Sequence, residues 1–225
     1  SPLLLPVGAI APGRPHNWLV SATVHGRRPG RFRLFDVTLR YESGQERNEV
    51  STALRPQAQR IWLDEQIKTE VAELKLKFTS QPQALIHGDL HCGSIFVTDS
   101  SVKVTDAEFA CYGPIAFDLG TLIGSFLAIY LSVPAVIPAV SARQQIFLRA
   151  EIRQLWQQFA AEFLALATRE TRDSALQSDE TQQRFVTSIQ RDALGFAGIE
   201  LMRRVIGMEP IKELNQVKDA NLRLQ

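Results

Sequence analysis

From Leu119 to Val140 the chain carries no charged side chain, and this run restricts the possible folds more than any other feature. A helix of that length spans a bilayer; the alternative is a helix at the centre of a water-soluble core. Pro134 and Pro138 interrupt the run, and Asp118 stands directly at its start. A proline inside a helix removes a backbone donor and clashes with the preceding turn. The run therefore reads as a buried core helix ending near Ser132, followed by a loop. Hydrophobic residues make up 45% of the chain and charged residues 22%, enough for a soluble protein to bury a sizeable core. A net charge of +1 gives no electrostatic ground for nucleic acid or an anionic membrane as partner. Cys92 and Cys111 match no zinc or redox spacing, and so few thiols fit a reducing, cytoplasmic compartment. The opening Ser-Pro-Leu-Leu-Leu-Pro is too short and too proline-broken for a signal peptide.

The character of the chain changes near Trp62. Residues 1–63 are punctuated by Pro2, Pro6, Gly8, Pro12, Gly13, Pro15 and Gly26, and they contain many arginines but no lysine. Imperfect alternation in Arg31–Tyr41 suggests a hairpin there; nothing else in this leader is strongly periodic. It reads as unassigned, either a partial domain or poorly ordered. From Asp64 onwards the signals are regular. Asp64 caps a helix in which Ile67, Val71, Leu74 and Phe78 repeat at three- and four-residue spacing, ended by Gln81-Pro82. A short strand, Ala84–Ile86, runs into His87-Gly88-Asp89-Leu90-His91. Strands Ser94–Thr98 and Val102–Thr105 follow, joined by Asp99-Ser100-Ser101. Beyond the apolar helix two amphipathic helices are expected. One covers about Ser141–Thr168, with Ile146, Ala150, Trp156, Phe159, Phe163 and Leu166 near one face. The other covers about Asp179–Met208, with Phe185, Ile189, Leu194, Phe196, Ile199, Met202 and Ile206. The expected class is α+β and mainly helical, with a small β-hairpin beside a loop-rich site, in one body over residues 64–225.

Chemistry concentrates in two places. Asp89 lies in the His87–His91 loop, and Asp106-Ala107-Glu108 follows the expected hairpin. Taken singly, a loop aspartate more often caps a helix or solvates a turn. Together, a loop aspartate and an acidic pair beyond a hairpin can converge on one cleft, as phosphoryl transfer from a nucleotide requires. One carboxylate orients and deprotonates the acceptor hydroxyl, and others hold magnesium on the phosphates. If the segment is extended, Asp106 and Glu108 face the same side.

The loop His87-Gly-Asp-Leu-His91 resembles the catalytic loop of the aminoglycoside phosphotransferase and choline kinase group, which has the protein-kinase-like fold. The string Asp106-Ala-Glu-Phe-Ala-Cys-Tyr-Gly-Pro-Ile-Ala-Phe-Asp-Leu-Gly120 resembles the 5-methylthioribose kinase family more closely. So does Gly195-Phe-Ala-Gly-Ile-Glu-Leu-Met-Arg-Arg-Val-Ile-Gly207. The resemblance covers about Asp64 to Leu214 and implies a kinase C-lobe that transfers the γ-phosphate of ATP to the 1-hydroxyl of that sugar, with Mg2+, as a step in methionine salvage. It implies Asp89 as catalytic aspartate, Asp106 and Glu108 as magnesium ligands, and Arg203 and Arg204 as substrate contacts. For the arginines taken alone, a structural salt bridge is the commoner outcome. Asp118 would brace the catalytic loop by accepting backbone hydrogen bonds, and His87 and His91 would hold its shape. Ser94 stands where most members of the wider group have a metal-binding asparagine. The resemblance also implies a homodimer.

The departures are of two sizes. Ala107 replaces a proline, and Cys92 and Cys111 replace a threonine and a phenylalanine; these are mild. The larger one is the leader. Kinases of this group hold ATP under a lobe of about a hundred residues with a phosphate-binding lysine, and residues 1–63 supply neither length nor lysine. The expectation is therefore a chain with its N-lobe missing or incomplete, a truncated kinase. The alternatives are a non-catalytic remnant of one, or a related aminoglycoside, choline or homoserine kinase.

Overall fold

Asp64 sets the first junction, in a structure (a computed structural model) that describes Val50 and residues 52–206. The hairpin expected in Arg31–Tyr41 lies outside the described residues. Asp64 ends helix α1 (Arg55–Leu63) and caps helix α2 (Glu65–Ser80), its Oδ1 accepting the Ile67 backbone N–H at 3.0 Å. The cap satisfies a first-turn donor that has no helical partner. Val71, Leu74 and Phe78 are buried along one face of α2, as the periodicity predicts. No element was expected over residues 55–63, yet α1 is a helix with proline in its first turn, where a missing N–H costs nothing. Ala58 and Trp62, one turn apart, pack against Ile206.

Four short strands follow. β1 (Ala84–Ile86) pairs antiparallel with β4 (Cys111–Gly113), Leu85 opposite Tyr112. Between them, β2 (Ile95–Val97) and β3 (Val102–Val104) form a separate hairpin, Phe96 opposite Lys103. Helix α3 (Ile115–Val136) comes next, and helices α4 (Ser141–Glu170) and α5 (Asp179–Ile206) complete the described fold. The mainly helical α+β class holds for the described residues.

The apolar run forms the core helix expected, but it does not stop near Ser132. α3 continues through Pro134 to Val136. Proline lacks the N–H that would bond the carbonyl one turn earlier. That carbonyl belongs to Tyr130, and Gln145 Nε2 of α4 donates to it at 3.1 Å. A side chain from the next helix thus replaces the lost backbone bond. α3 is long and apolar enough to cross a membrane by length and composition alone, and half of its most apolar stretch is buried inside this fold.

The core lies where α3 crosses α5, flanked by α2 and α4. Phe117 packs between Phe78 and Phe196, tilted against the first and edge-on to the second, with ring centroids 4.8 and 5.2 Å away. The chain of rings expected on α4 is present: Trp156, Phe159 and Phe163 are spaced 5.6 and 5.8 Å, and Phe185 of α5 extends it. Four positions assigned to the inner faces are instead exposed: Ile146 (64%), Ala150, Leu194 (58%) and, marginally, Phe185 (38%). The reason is angular. At about 100° per residue, Phe159 lies roughly 220° round the helix from Ile146, while Leu148 falls on the Phe159 side. Leu148 is buried accordingly. Leu194 is displaced from Ile189 by about 140° in the same way.

α3 and α5 come unusually close at two glycines. A Cβ on Gly120 would lie 2.5 Å from Phe196 Cβ and 2.6 Å from the Ala193 carbonyl; one on Gly124 would lie 3.0 Å from both the Ala197 carbonyl and Glu200 Cβ.

Candidate active site

The loop after β1 is held by backbone bonds to one carboxylate. His87 N donates to Asp118 Oδ2 at 2.5 Å, and Gly88 N donates to Oδ1 at 2.8 Å. Asp118 sits in the first turn of α3, where the helix dipole favours a negative charge. Gly88 has φ of 80°, a left-handed conformation that is cheap for glycine. A second tie runs from Cys92 N to Ser125 Oγ, about two turns beyond Asp118 along α3, at 3.1 Å. Exchanging Asp118 for asparagine should leave one of the two loop N–H groups facing an amide NH2. We expect about 2 kcal/mol lost in urea denaturation, together with lower activity.

Histidines give the loop its shape. His87 Nε2 lies 2.9 Å from the Thr105 carbonyl and so carries the proton, leaving Nδ1 to accept from Asp89 N at 3.3 Å. That ring links the Asp89 loop to the residue just before Asp106. His91 Nδ1 accepts from Gly93 N at 3.0 Å. Ser94, in the position of the wider group's asparagine, is 3% exposed; its hydroxyl accepts from His91 N and donates to the His91 carbonyl. Its geometry is that of a loop brace, not of an exposed metal ligand.

The Asp89 carboxylate is partly open to solvent, at 33% exposure. Arg203 Nη2 comes within 3.7 Å of its Oδ1, and His91 Nε2 within 3.8 Å of its Oδ2. The expected catalytic aspartate and one expected substrate arginine are therefore brought together from positions far apart in sequence. Arg204 is turned to Glu200, Nε to Oε1 at 2.7 Å. Glu200 lies in the same block, and its spacing of three and four residues from two arginines on one helix is the local signal that pairs it with them.

Asp106 and Glu108 do not lie in an extended segment. Asp106 has φ of 66°, in the left-handed region, and turns the chain into a 3-10 turn over Ala107–Phe109. Aspartate enters that region more readily than most residues, though at some cost. The same-side geometry assumed for extended residues is thus replaced by a tight turn, and both carboxylates are exposed. Among the described residues no group of three or more His, Cys, Asp or Glu is close enough to form a complete metal cage. Magnesium does not require one, since it keeps several waters and takes one or two carboxylates plus substrate phosphates. Two exposed carboxylates fit that demand by type.

Residues 20–155 match the model of the phosphotransferase enzyme family. The chain belongs to that family. Its match begins upstream of the residue 63 boundary expected from the sequence. Among curated proteins, this phosphotransferase family member is 42% identical over 182 residues to the methylthioribose kinase of Erwinia tasmaniensis, covering 80% of this chain and 45% of that protein. It is 43% identical over 180 residues to that of Pectobacterium carotovorum, with the same coverage. For Yersinia pseudotuberculosis the figures are 41% over 181 residues, 79% of this chain and 44% of the relative. The chain spans less than half the length of these relatives.

Proposed function

We propose that this chain carries the acceptor-binding and metal-binding half of a small-molecule kinase that phosphorylates the 1-hydroxyl of 5-methylthioribose, using ATP. The observation that carries the reading is Arg203 standing 3.7 Å from Asp89, on a loop that Asp118 holds through two backbone bonds. Asp89 accepts the proton of the attacking hydroxyl, and its bracing fixes the approach geometry on which such transfer depends. Arg203 and Arg204 offer cationic donors to the sugar or to the phosphoryl group in transit. Asp106 and Glu108 would hold magnesium, which when bound offsets charge on the nucleotide phosphates. Similarity to three methylthioribose kinases favours this sugar over choline, homoserine or an aminoglycoside. The reading places the protein in the cytoplasm, in methionine salvage, and as a homodimer.

The test is transfer of labelled γ-phosphate from ATP by the purified chain to a panel of these four acceptors. Label on methylthioribose alone is expected. Label on another acceptor moves the protein to a sister kinase. A folded chain that labels none of them supports the second reading, a non-catalytic remnant.

A further inference from the structure

Glu200 is 1% exposed and has no part in the chemistry above. A charge so deeply buried is costly unless it is paired and hydrogen-bonded. Among the described residues three donors meet it. Arg203 Nε reaches Oε2 and Arg203 Nη2 reaches Oε1, both at 2.9 Å, and Arg204 Nε reaches Oε1 at 2.7 Å. The first two form a parallel fork, the geometry in which a planar guanidinium is held most rigidly. Arg203 Nη2 is also the atom 3.7 Å from Asp89 Oδ1. Fixing the fork on Glu200 therefore fixes the face that this guanidinium presents to Asp89. The stem of Glu200 rests on the backbone of α3 at Gly124, its Cβ and Cγ 3.0 and 3.1 Å from where a Cβ would stand. That is the helix whose Asp118 and Ser125 hold the Asp89 loop.

We propose that Glu200 is a positioning residue for the phosphoryl acceptor, orienting Arg203 against Asp89 and holding Arg204 beside it. Net stability is a poor reason for such a group, since apolar residues of similar volume commonly serve a core as well as a buried ion pair. The inference rests on the reading of Asp89 as the residue that meets the acceptor, and its test has a part independent of catalysis. In the wild-type chain, NMR should show the Nε protons of Arg203 and Arg204 exchanging with water at least about tenfold more slowly than that of Arg184, whose side chain is 80% exposed. Loss of one signal each in Arg203→Lys and Arg204→Lys assigns them. Exchange as fast as that of Arg184 overturns the clamp.

Two variants then separate charge from place. Glu200→Gln keeps the length and removes the charge; Glu200→Asp keeps the charge and withdraws it by one methylene. Both should lower kcat/KM for the acceptor on the order of a hundredfold, as misplacement by about 1 Å can, with the KM for ATP within about twofold of wild type. An unchanged acceptor kcat/KM in Glu200→Asp overturns positioning. So does a rise in both KM values that simply follows a lower Tm. If Glu200→Gln fails to fold, Glu200→Asp and the wild-type exchange rates still decide. A wild-type chain that transfers no phosphate sinks the kinase reading instead, and the exchange comparison alone then upholds or overturns the hold of Glu200 on the two arginines.

Discussion

Asp89→Asn will remove phosphoryl transfer while leaving the fold intact. An asparagine has nearly the same shape but cannot take a proton from the acceptor hydroxyl. General-base catalysis contributes about 10²–10⁴-fold, so kcat should fall by that order in any preparation that transfers phosphate. The fold should hardly respond, because the loop is fixed through backbone N–H groups and not through the Asp89 carboxylate. His87 N and Gly88 N bond to Asp118, and Asp89 N bonds to the His87 ring. The paired measurement is initial rate of label transfer against melting temperature. A variant that keeps more than a tenth of the rate would remove Asp89 from the role of base. A large drop in Tm would show that the carboxylate is part of the scaffold.

Gly120→Ala is expected to have the largest effect on stability. Helix propensity alone favours alanine over glycine by about 1 kcal/mol. At this site the new methyl would stand 2.5 Å from Phe196 Cβ and 2.6 Å from the Ala193 carbonyl. Neither is the end of a flexible side chain, so relief requires α3 and α5 to move apart. That motion disturbs the Phe78–Phe117–Phe196 contacts at the centre of the core. Overpacking of this kind costs about 1–3 kcal/mol, occasionally more, and two backbone-level clashes place it at the upper end. After the propensity gain, a net loss of at least about 2 kcal/mol in urea denaturation is expected. Gly198→Ala is the contrast: nothing among the described residues lies within 4 Å of the added methyl. The propensity term is then unopposed, and a gain of about 0.5–1 kcal/mol should follow. Equal effects at the two glycines would mean that the helices are not in close contact at Gly120.

Local signals carried much of this fold. The Asp64 cap and the spacing of Val71, Leu74 and Phe78 specify α2 without reference to anything distant, and the turn Asp99-Ser100-Ser101 specifies the hairpin. What escaped depends on partners remote in sequence, or on one backbone angle. Pro134 looks like a helix stop until Gln145 is seen to bond the Tyr130 carbonyl. Asp106 looks extended until its left-handed φ turns the Ala107–Phe109 segment. Ile146, Ala150 and Leu194 are apolar residues on outer faces, which only a strict 3.6-residue count separates from inner ones. α1 had a proline at a helix start as its one local signal, and its burial depends on Ile206, at the far end of α5. In the candidate site, the residue types were visible in short strings. That Glu200 ties Arg203 to Arg204 is legible in their three- and four-residue spacing on one helix; that Arg203 meets Asp89 depends on tertiary packing and on no string.

That tie bears on how such a site can diverge. Two cations that share one buried anion cannot drift independently: altering Arg204 changes the charge felt by Arg203, and altering Glu200 disturbs both. Single substitutions at these three positions should give effects that do not add. New acceptor preferences are then more readily reached by replacing Glu200, Arg203 and Arg204 as a set than by changing either arginine alone, and across related sequences the three should vary together or not at all.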